Sequence, residues 1–557
     1  DFQGKRTLGI RLNWHKRYIT LGPVATLLGL AFKLYDPDQL LGDHQELGIT
    51  VALIPTDTEG VEIGERHYPA LQAFQNGPNW GRDVFIPMDW IIGGQACIGE
   101  GWSMLMSALA AGRSISLPSL STGGAKLAAG ATGAYARIRE QFGIPVGKFE
   151  GVQFRLGRLA ANAYLLDAAR KTTTQALDMG EVPAIISAIL KAHSTYTLRE
   201  SIDDAMDVHG GKAVCDGPNN YLGNIYRAIP VAITVEGANI LTRNLIIFGQ
   251  GALRCHPYLL EEMRAAELAD ETQAVAALDA IIFKHLRFQL ASFGRAWWHN
   301  WTAGRFAGAP DTAEDLQPHY RQLSRYAATL TFATEVALMS LGGELKRKEF
   351  ISARLGDLLS ELYLLSCALK RFEDDGRPAA DRPILDWCMH RGLHKMQQRL
   401  DAVLDNFPVR PLAWLMRVIV LPFGLTRKPP SDALTHACAE LLLTPSPTRQ
   451  RLIAGVYSAN RDLGIGQVEA AFEQVAATAP LRDLLKRKQL TDIDQALNEN
   501  VITAAQAQAL QSAATAVDKA IEVDHFSDAE LSLPKLESLL LQAGQAGPPR
   551  PPAPPLH

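Results

Sequence analysis

Residues 232–251 read AITVEGANILTRNLIIFGQG: an apolar approach, Glu236, then Gly237 and Ala238, then a helix predicted over 239–248. A carboxylate set after an apolar run is partly desolvated, which raises its pKa and strengthens it as a base. The glycine beside it lets a ligand approach the backbone closely. Taken alone, such a Glu is more often a helix-start residue stabilised by the helix dipole. The surrounding chain has to decide between the two.

Upstream of this stretch the texture is helical. Leu156, Leu159, Ala163 and Leu166 share one face of a helix predicted over 152–179, and another is predicted over 184–208. Before residue 99 the chain is rich in Gly, Pro and β-branched residues. Short apolar runs at 18–20, 24–32, 49–54 and 84–86 are separated by turn signals and predict strands. Downstream of Cys255 helices dominate, clearest in the seam Ile351, Leu355, Leu358, Leu362, Leu365 and Leu369, which ends near Gly376. The reading is an α+β chain: a β domain at 1–98, a helical bundle at 99–254, an α-helical C-terminal extension at 255–544 and a Pro-rich tail at 545–557 expected to be disordered. Asp1 opens what already looks like strand, so the chain is expected to continue from a preceding part.

Composition narrows the function. Of 557 residues 47% are hydrophobic and 20% charged, the balance of a soluble globular protein. A net charge of -4 offers no basic field for nucleic acid. The six cysteines form no Cys-x-x-Cys pair, so no metal site and no disulfide framework is expected, and a reducing compartment is. There is no phosphate-binding loop of the Gly-x-x-x-x-Gly-Lys-Ser/Thr kind. Gly123, Gly124, Gly130 and Gly133 lack dinucleotide-fold spacing, and helix packing is their expected role. Residues 409–425, VRPLAWLMRVIVLPFGL, are too few to span a bilayer. They suit a helix buried against neighbours, or one lying in a membrane interface with Trp414, Arg427 and Lys428 at its edge.

Seven segments then fall in order. HKRYIT at 15–20, GVEIGERH at 60–67, DVFIP at 83–87, GEGWSML at 99–105, YARIREQFG at 135–143 followed by Gln153, MDVHGGKAV at 206–214 and VEGANILTR at 235–243 resemble landmarks of the acyl-CoA dehydrogenase family. The last fits its Glu-Gly-Thr-x-x-x-x-Arg motif with Ala238 in the Thr place. SLGGELKRKEFISARLGDLLSELY at 340–363 is similar to the long helical extension of the large bacterial fatty-acid β-oxidation members, whose N-terminal helical domain is expected to fall in the part preceding Asp1.

The resemblance implies FAD as cofactor and medium- to long-chain fatty acyl-CoA as substrate, oxidised to the trans-2-enoyl-CoA. It assigns Glu236 as the base that takes the α-proton while the β-hydrogen leaves as hydride, with the thioester carbonyl held by the base's own backbone N–H and a cofactor hydroxyl. Some members carry the base instead at the place matching Gly112, which has no carboxylate to offer. Arg113 and Gly237 are implied substrate contacts. Tyr18 and Thr20 would flank the flavin, with Ala238 lacking the hydroxyl the family's Thr offers to the cofactor. Arg139, Phe142, Gln153, Gly210 and Gly211 would reach the FAD of a neighbouring subunit, implying a homodimer or larger. His209 reads as a packed loop histidine. Electron-transfer flavoprotein is the implied acceptor. The implied location is the bacterial cytoplasm, with a possible peripheral place on the inner membrane through 409–425. An acyl-CoA oxidase and a non-catalytic acyl-CoA-binding or scaffold protein are the alternatives.

Overall fold

Ile10, Leu12 and Trp14 are buried between exposed neighbours, the period of two that a half-buried strand requires. They lie on β1 (Gly9–Thr20), followed by β2 (Leu27–Tyr35), β3 (Glu46–Pro55), β4 (Val61–Ile63) and β5 (Asn76–Pro87). The computed structural model describes residues 2–528 apart from 182, 269, 312 and 313, so the Pro-rich tail lies outside the described residues. β5 pairs antiparallel with β1 on one side and β4 on the other, while β2 and β3 form a separate hairpin. Trp14, Leu30, Ile54, Val84 and Ile86 from both sheets meet in one core. The β1–β5 register shifts between Lys16 and Ile19, and Tyr18 inside that irregularity has φ 58.

Gly101 then opens α1 (Gly101–Ile138), one long helix through Pro118. The small hairpin of β6 (Glu140–Gln141) and β7 (Ile144–Pro145) leads into α2 (Glu150–Asp178) and α3 (Ala184–His209), close to the spans predicted for them. Glycine lets α1 pack tightly. A β-carbon at Gly124 would stand 2.5 Å from Leu198 Cδ1, and one at Gly133 2.7 Å from Leu442 Cβ. Gly123, by contrast, faces open space. After α4 (Gly211–Val214) and α5 (Gly223–Thr234), the helix predicted over 239–248 divides. α6 (Asn239–Leu241) runs into a π-helical stretch, Thr242–Gln250, and α7 (Gly251–Cys255). Such wide turns mark functional sites more often than chance, because they distort the hydrogen-bond ladder at a cost.

The extension comprises α8 (Leu259–Ala266), α9 (Glu271–Trp301), α10 (Gln317–Leu341), α11 (Glu349–Asp374), α12 (Arg382–Asn406), α13 (Arg410–Val420) and α14 (Asp432–Leu443). α15 (Pro447–Ile453), α16 (Gly464–Arg487), α17 (Ile493–Asn498) and α18 (Ala504–Ile521) complete it. The seam on α11 buries Ile351, Leu355, Leu358, Leu365 and Leu369, and Gly376 with φ 80 follows its end. These leucines share one cluster with Leu156 and Leu159 of α2. A boundary near residue 254 therefore divides the sequence but not the hydrophobic core. Ion pairs cross the same seam: Arg371 reaches Asp167 at 3.2 Å and Arg391 reaches Glu200 at 2.7 Å.

Candidate active site

Three elements converge on Glu236. Where α5 stops, Glu236 takes φ 55 and Gly237 φ 94, a left-handed turn that glycine adopts freely and glutamate adopts under strain. Side chains hold that turn from beneath. Arg113 Nε on α1 donates to the Glu236 carbonyl oxygen at 2.8 Å. Lys191 on α3, with no exposed surface, donates to the carbonyls of Ile233 (3.0 Å) and Gly237 (2.8 Å) and to Asn239 Oδ1 (2.7 Å). Its three ammonium protons thus find three oxygens, and Asn239 passes the contact on to Thr195 Oγ1 at 2.8 Å.

The Glu236 carboxylate is poised for proton transfer. Its Oε2 is buried without a hydrogen-bond partner. Burial lifts its pKa above the usual carboxylate range, against the opposing pull of Arg113 and Lys191. Burial likewise draws Lys191 down to about 8, opposed by Glu236. A β-carbon at Gly112 would stand 3.2 Å from Glu236 Oε1, so the other position at which the family carries a base lies directly beside this carboxylate. Among the described residues, no group accepts from the backbone N–H of Glu236. A desolvated base beside a spare donor can take a proton from carbon and stabilise charge developing on a carbonyl oxygen.

An apolar cavity of about 810 Å³ runs between α1 and α5, lined by Leu117, Leu120 and Leu127 on one wall and Ala228, Val231 and Val235 on the other. Val235 adjoins Glu236. The α1 wall of this trough runs from Leu117 to Leu127, roughly 15 Å at a helical rise of about 1.5 Å per residue.

A second group of the expected residues gathers at the far end of α1. Arg139 follows the last turn, and Phe142, with φ 53, is 95% exposed. Gly210 has φ 57 where α3 meets α4, and a β-carbon at Gly210 or Gly211 would meet nothing within 4 Å. His209 brings this loop to α1 by stacking on Tyr135 at 4.3 Å. Its Nδ1 donates to the Ala205 carbonyl and its Nε2 accepts from Tyr221, each at 2.8 Å. Burial pulls its pKa down to about 4, so it is a neutral packing histidine. Gln153 does not join the group: it is buried, and its amide oxygen accepts from His436 of α14 at 2.9 Å. Its side chain ties the bundle to the extension instead. Tyr18 and Thr20 are exposed on β1 and Ala238 is exposed beside the turn.

Lys191, Asn239 and the role of Arg243 were not foreseen. The signal for Lys191 was a single cation inside the apolar run AIISAILKAH at 184–193. Arg243, the motif's last residue, forks onto Asp357 of α11 at 2.7 and 2.6 Å, coupling the π-helical stretch to the extension. A further unexpected trio is His256, His285 and Glu335, whose ligand-type atoms lie within 4.8 Å of one another. His256 Nδ1 accepts the N–H groups of Tyr258 and Leu259, both at 3.1 Å. That places its proton on Nε2, which donates to Glu335 at 2.6 Å. A cation would need that nitrogen bare, so the trio reads as a hydrogen-bonded knot between the α7–α8 turn, α9 and α10.

Comparison with known proteins agrees with this geometry. Residues 99–249 match the acyl-CoA dehydrogenase C-terminal domain, and residues 253–526 match the bacterial-type acyl-CoA dehydrogenase C-terminal region. A 104-residue stretch, 19% of the chain, is 61% identical to the protein HemX of Proteus mirabilis and covers 61% of it. The probable acyl-CoA dehydrogenase FadE10 of Mycobacterium tuberculosis is 27% identical over 369 residues, 64% of this chain and 54% of FadE10. The chain thus spans about half the length of that relative. An acyl-CoA dehydrogenase from Bacillus anthracis, solved in complex with FAD, superposes with a TM-score of 0.61 at 18% identity, covering 79% of this chain and 71% of its own. That likeness is one of fold.

Proposed function

Since this chain belongs to the acyl-CoA dehydrogenase family, we propose that it takes part in FAD-dependent α,β-dehydrogenation of medium- to long-chain fatty acyl-CoA, the first step of β-oxidation, with Glu236 as base. The observation that carries this reading is the unpartnered, buried Oε2 of Glu236 beside its own free backbone N–H, one residue from Val235, which lines an apolar trough. A fatty chain fits the trough, and a thioester carbonyl beside the turn would accept from the Glu236 N–H. Glu236 then removes the α-proton, while Arg113 and Lys191 hold the turn and temper the carboxylate.

The residues suit FAD on both surfaces assigned to it. Tyr18 is 71% exposed with Thr20 beside it, as a flavin ring needs. Phe142 and the open backbone at Gly210 and Gly211 leave room for the cofactor's other end, with Arg139 suited to a pyrophosphate. Gln153 and Ala238 contribute nothing to that fit. FAD, when bound, supplies the acceptor for the hydride leaving the β-carbon. Gly112 and Arg139 stand 27 positions apart on α1 and its cap, roughly 40 Å at helical rise. One chain's two surfaces are too distant to share one cofactor, so the reading includes a homodimer in which Arg139 serves the neighbour's FAD. The reading also includes a cytoplasmic setting and electron-transfer flavoprotein as acceptor.

The test is enoyl-CoA formation by the FAD-loaded protein with short, medium and long acyl-CoA. Production from the longer thioesters, lost in Glu236→Gln, is expected. Equal production by the variant would remove Glu236 from the chemistry, and oxygen consumption matching product would mark an oxidase.

A further inference from the structure

The most exposed apolar surface of the extension lies far from Glu236 in sequence. On α9, Ile282, Phe283, Leu286, Leu290, Phe293, Trp297 and Trp301 recur at helical spacing and all are exposed, Phe283 at 72% and Leu290 at 65%. Ser292, Ala296 and Asn300 on the adjoining face are buried. With Val275 the stripe is roughly 40 Å long. α13 continues it. Trp301 Nε1 donates to the Val418 carbonyl at 3.2 Å, and its ring lies 6.1 Å from that of Phe423. Ala413, Met416, Ile419 and Val420 turn α13 inward, leaving Trp414 (64% exposed), Leu415 and Val418 outward. The two uses foreseen for 409–425 therefore fall on opposite faces of one helix.

Charge and composition choose the occupant. Residues 275–306 hold Lys284, Arg287, Arg295 and Arg305 against one carboxylate, Asp279. Residues 406–431 hold Arg410, Arg417, Arg427 and Lys428 and no carboxylate, in a chain of net charge -4. Arg417 is already matched by Asp401 at 2.6 Å and Asp405 at 2.7 Å, and Arg427 turns inward to donate to Gln322, so the outward charge rests on the others. Four of the chain's nine tryptophans, Trp297, Trp298, Trp301 and Trp414, lie here, and indole favours the boundary between headgroups and acyl chains. A second copy of this chain would bring two cationic faces together. Among the described residues no single helix is long and apolar enough to cross a membrane.

We propose that α9 and α13 together form a docking surface for an anionic lipid bilayer, lying flat in its interface. This docking is independent of the reaction assigned to Glu236. It does place the chain where amphiphilic long-chain thioesters concentrate.

The test is cosedimentation of the full chain with vesicles of phosphatidylcholine alone or mixed with phosphatidylglycerol. Binding to the anionic vesicles, weakened by salt, is expected. Phe283→Glu combined with Leu290→Glu should lower that binding about 100-fold, since each exchange removes a large apolar side chain from the lipid. Tyr457→Glu, at a 76% exposed position elsewhere, should bind like the wild type. Failure to bind anionic vesicles, or unchanged binding by the double variant, would overturn the proposal. So would dimers that dissociate in the double variant without any vesicle binding, which would assign the face to a second copy.

Discussion

At the scale of single residues, the proposed base Glu236 sits beside two cations, Arg113 and Lys191, that hold its turn. Lys191 lowers the Glu236 pKa while burial raises it, and burial is the larger effect. The acid limb of kcat/KM should therefore lie above the ordinary carboxylate range, with activity lost as Glu236 is protonated below it. Lys191→Met removes one opposing charge, so Glu236 rises further and the limb moves to higher pH. The same exchange strands three buried oxygens and should cost about 3 kcal/mol of stability, measured by urea unfolding. An unmoved acid limb would separate Lys191 from the base. Glu236 and Gly237 were legible because a motif spells them. Lys191 was not, because a lone cation in an apolar helix does not reveal which oxygens it will meet, and the positive φ of Glu236 belongs to no local propensity.

At the scale of elements, the bundle and the extension are joined by buried charges. Burial alone would raise Asp167, but Arg170, Arg371 and Lys126 outweigh it and hold it at about 2. Glu200 is likewise held at about 2, by Arg391, Arg158 and Asn162 against burial. A carboxylate depressed in the folded state adds stability that is present in full above its unfolded pKa, near 4, and is lost as pH falls toward 2. Urea midpoints should therefore fall steeply between about pH 4 and pH 2, and Arg371→Met should flatten that fall. Asp357→Asn should loosen the π-helical stretch from α11 at a cost of about 2 kcal/mol. The α11 seam was readable because its leucines keep one period throughout. The break from α6 into a π-helix was not, since Asn239–Gln250 has the apolar spacing of a regular helix. Nor was the outward stripe of α9, because periodicity announces an apolar face without saying what covers it.

At the scale of the whole molecule, the proposed reading puts two FAD-facing surfaces about 40 Å apart on α1, and on that reading assembly brings both to one cofactor. Mixed dimers test this. Glu236→Gln chains and Arg139→Glu chains, each inactive alone, should regain about a quarter of wild-type activity after random re-association, one intact site per mixed dimer. No recovery would assign Arg139 to its own subunit's cofactor or to none. The order of sequence landmarks made the fold legible from end to end. The continuity of the core across residue 254 was not, because helix patterns give faces and not partners. The measurement that bears most directly on the central claim is the flavin absorbance of the FAD-loaded protein, followed anaerobically after a long-chain acyl-CoA is added. The account predicts bleaching in the wild type, and ligand binding without bleaching in Glu236→Gln. Bleaching in both would take the base away from Glu236, and bleaching in neither would take dehydrogenation away from the site.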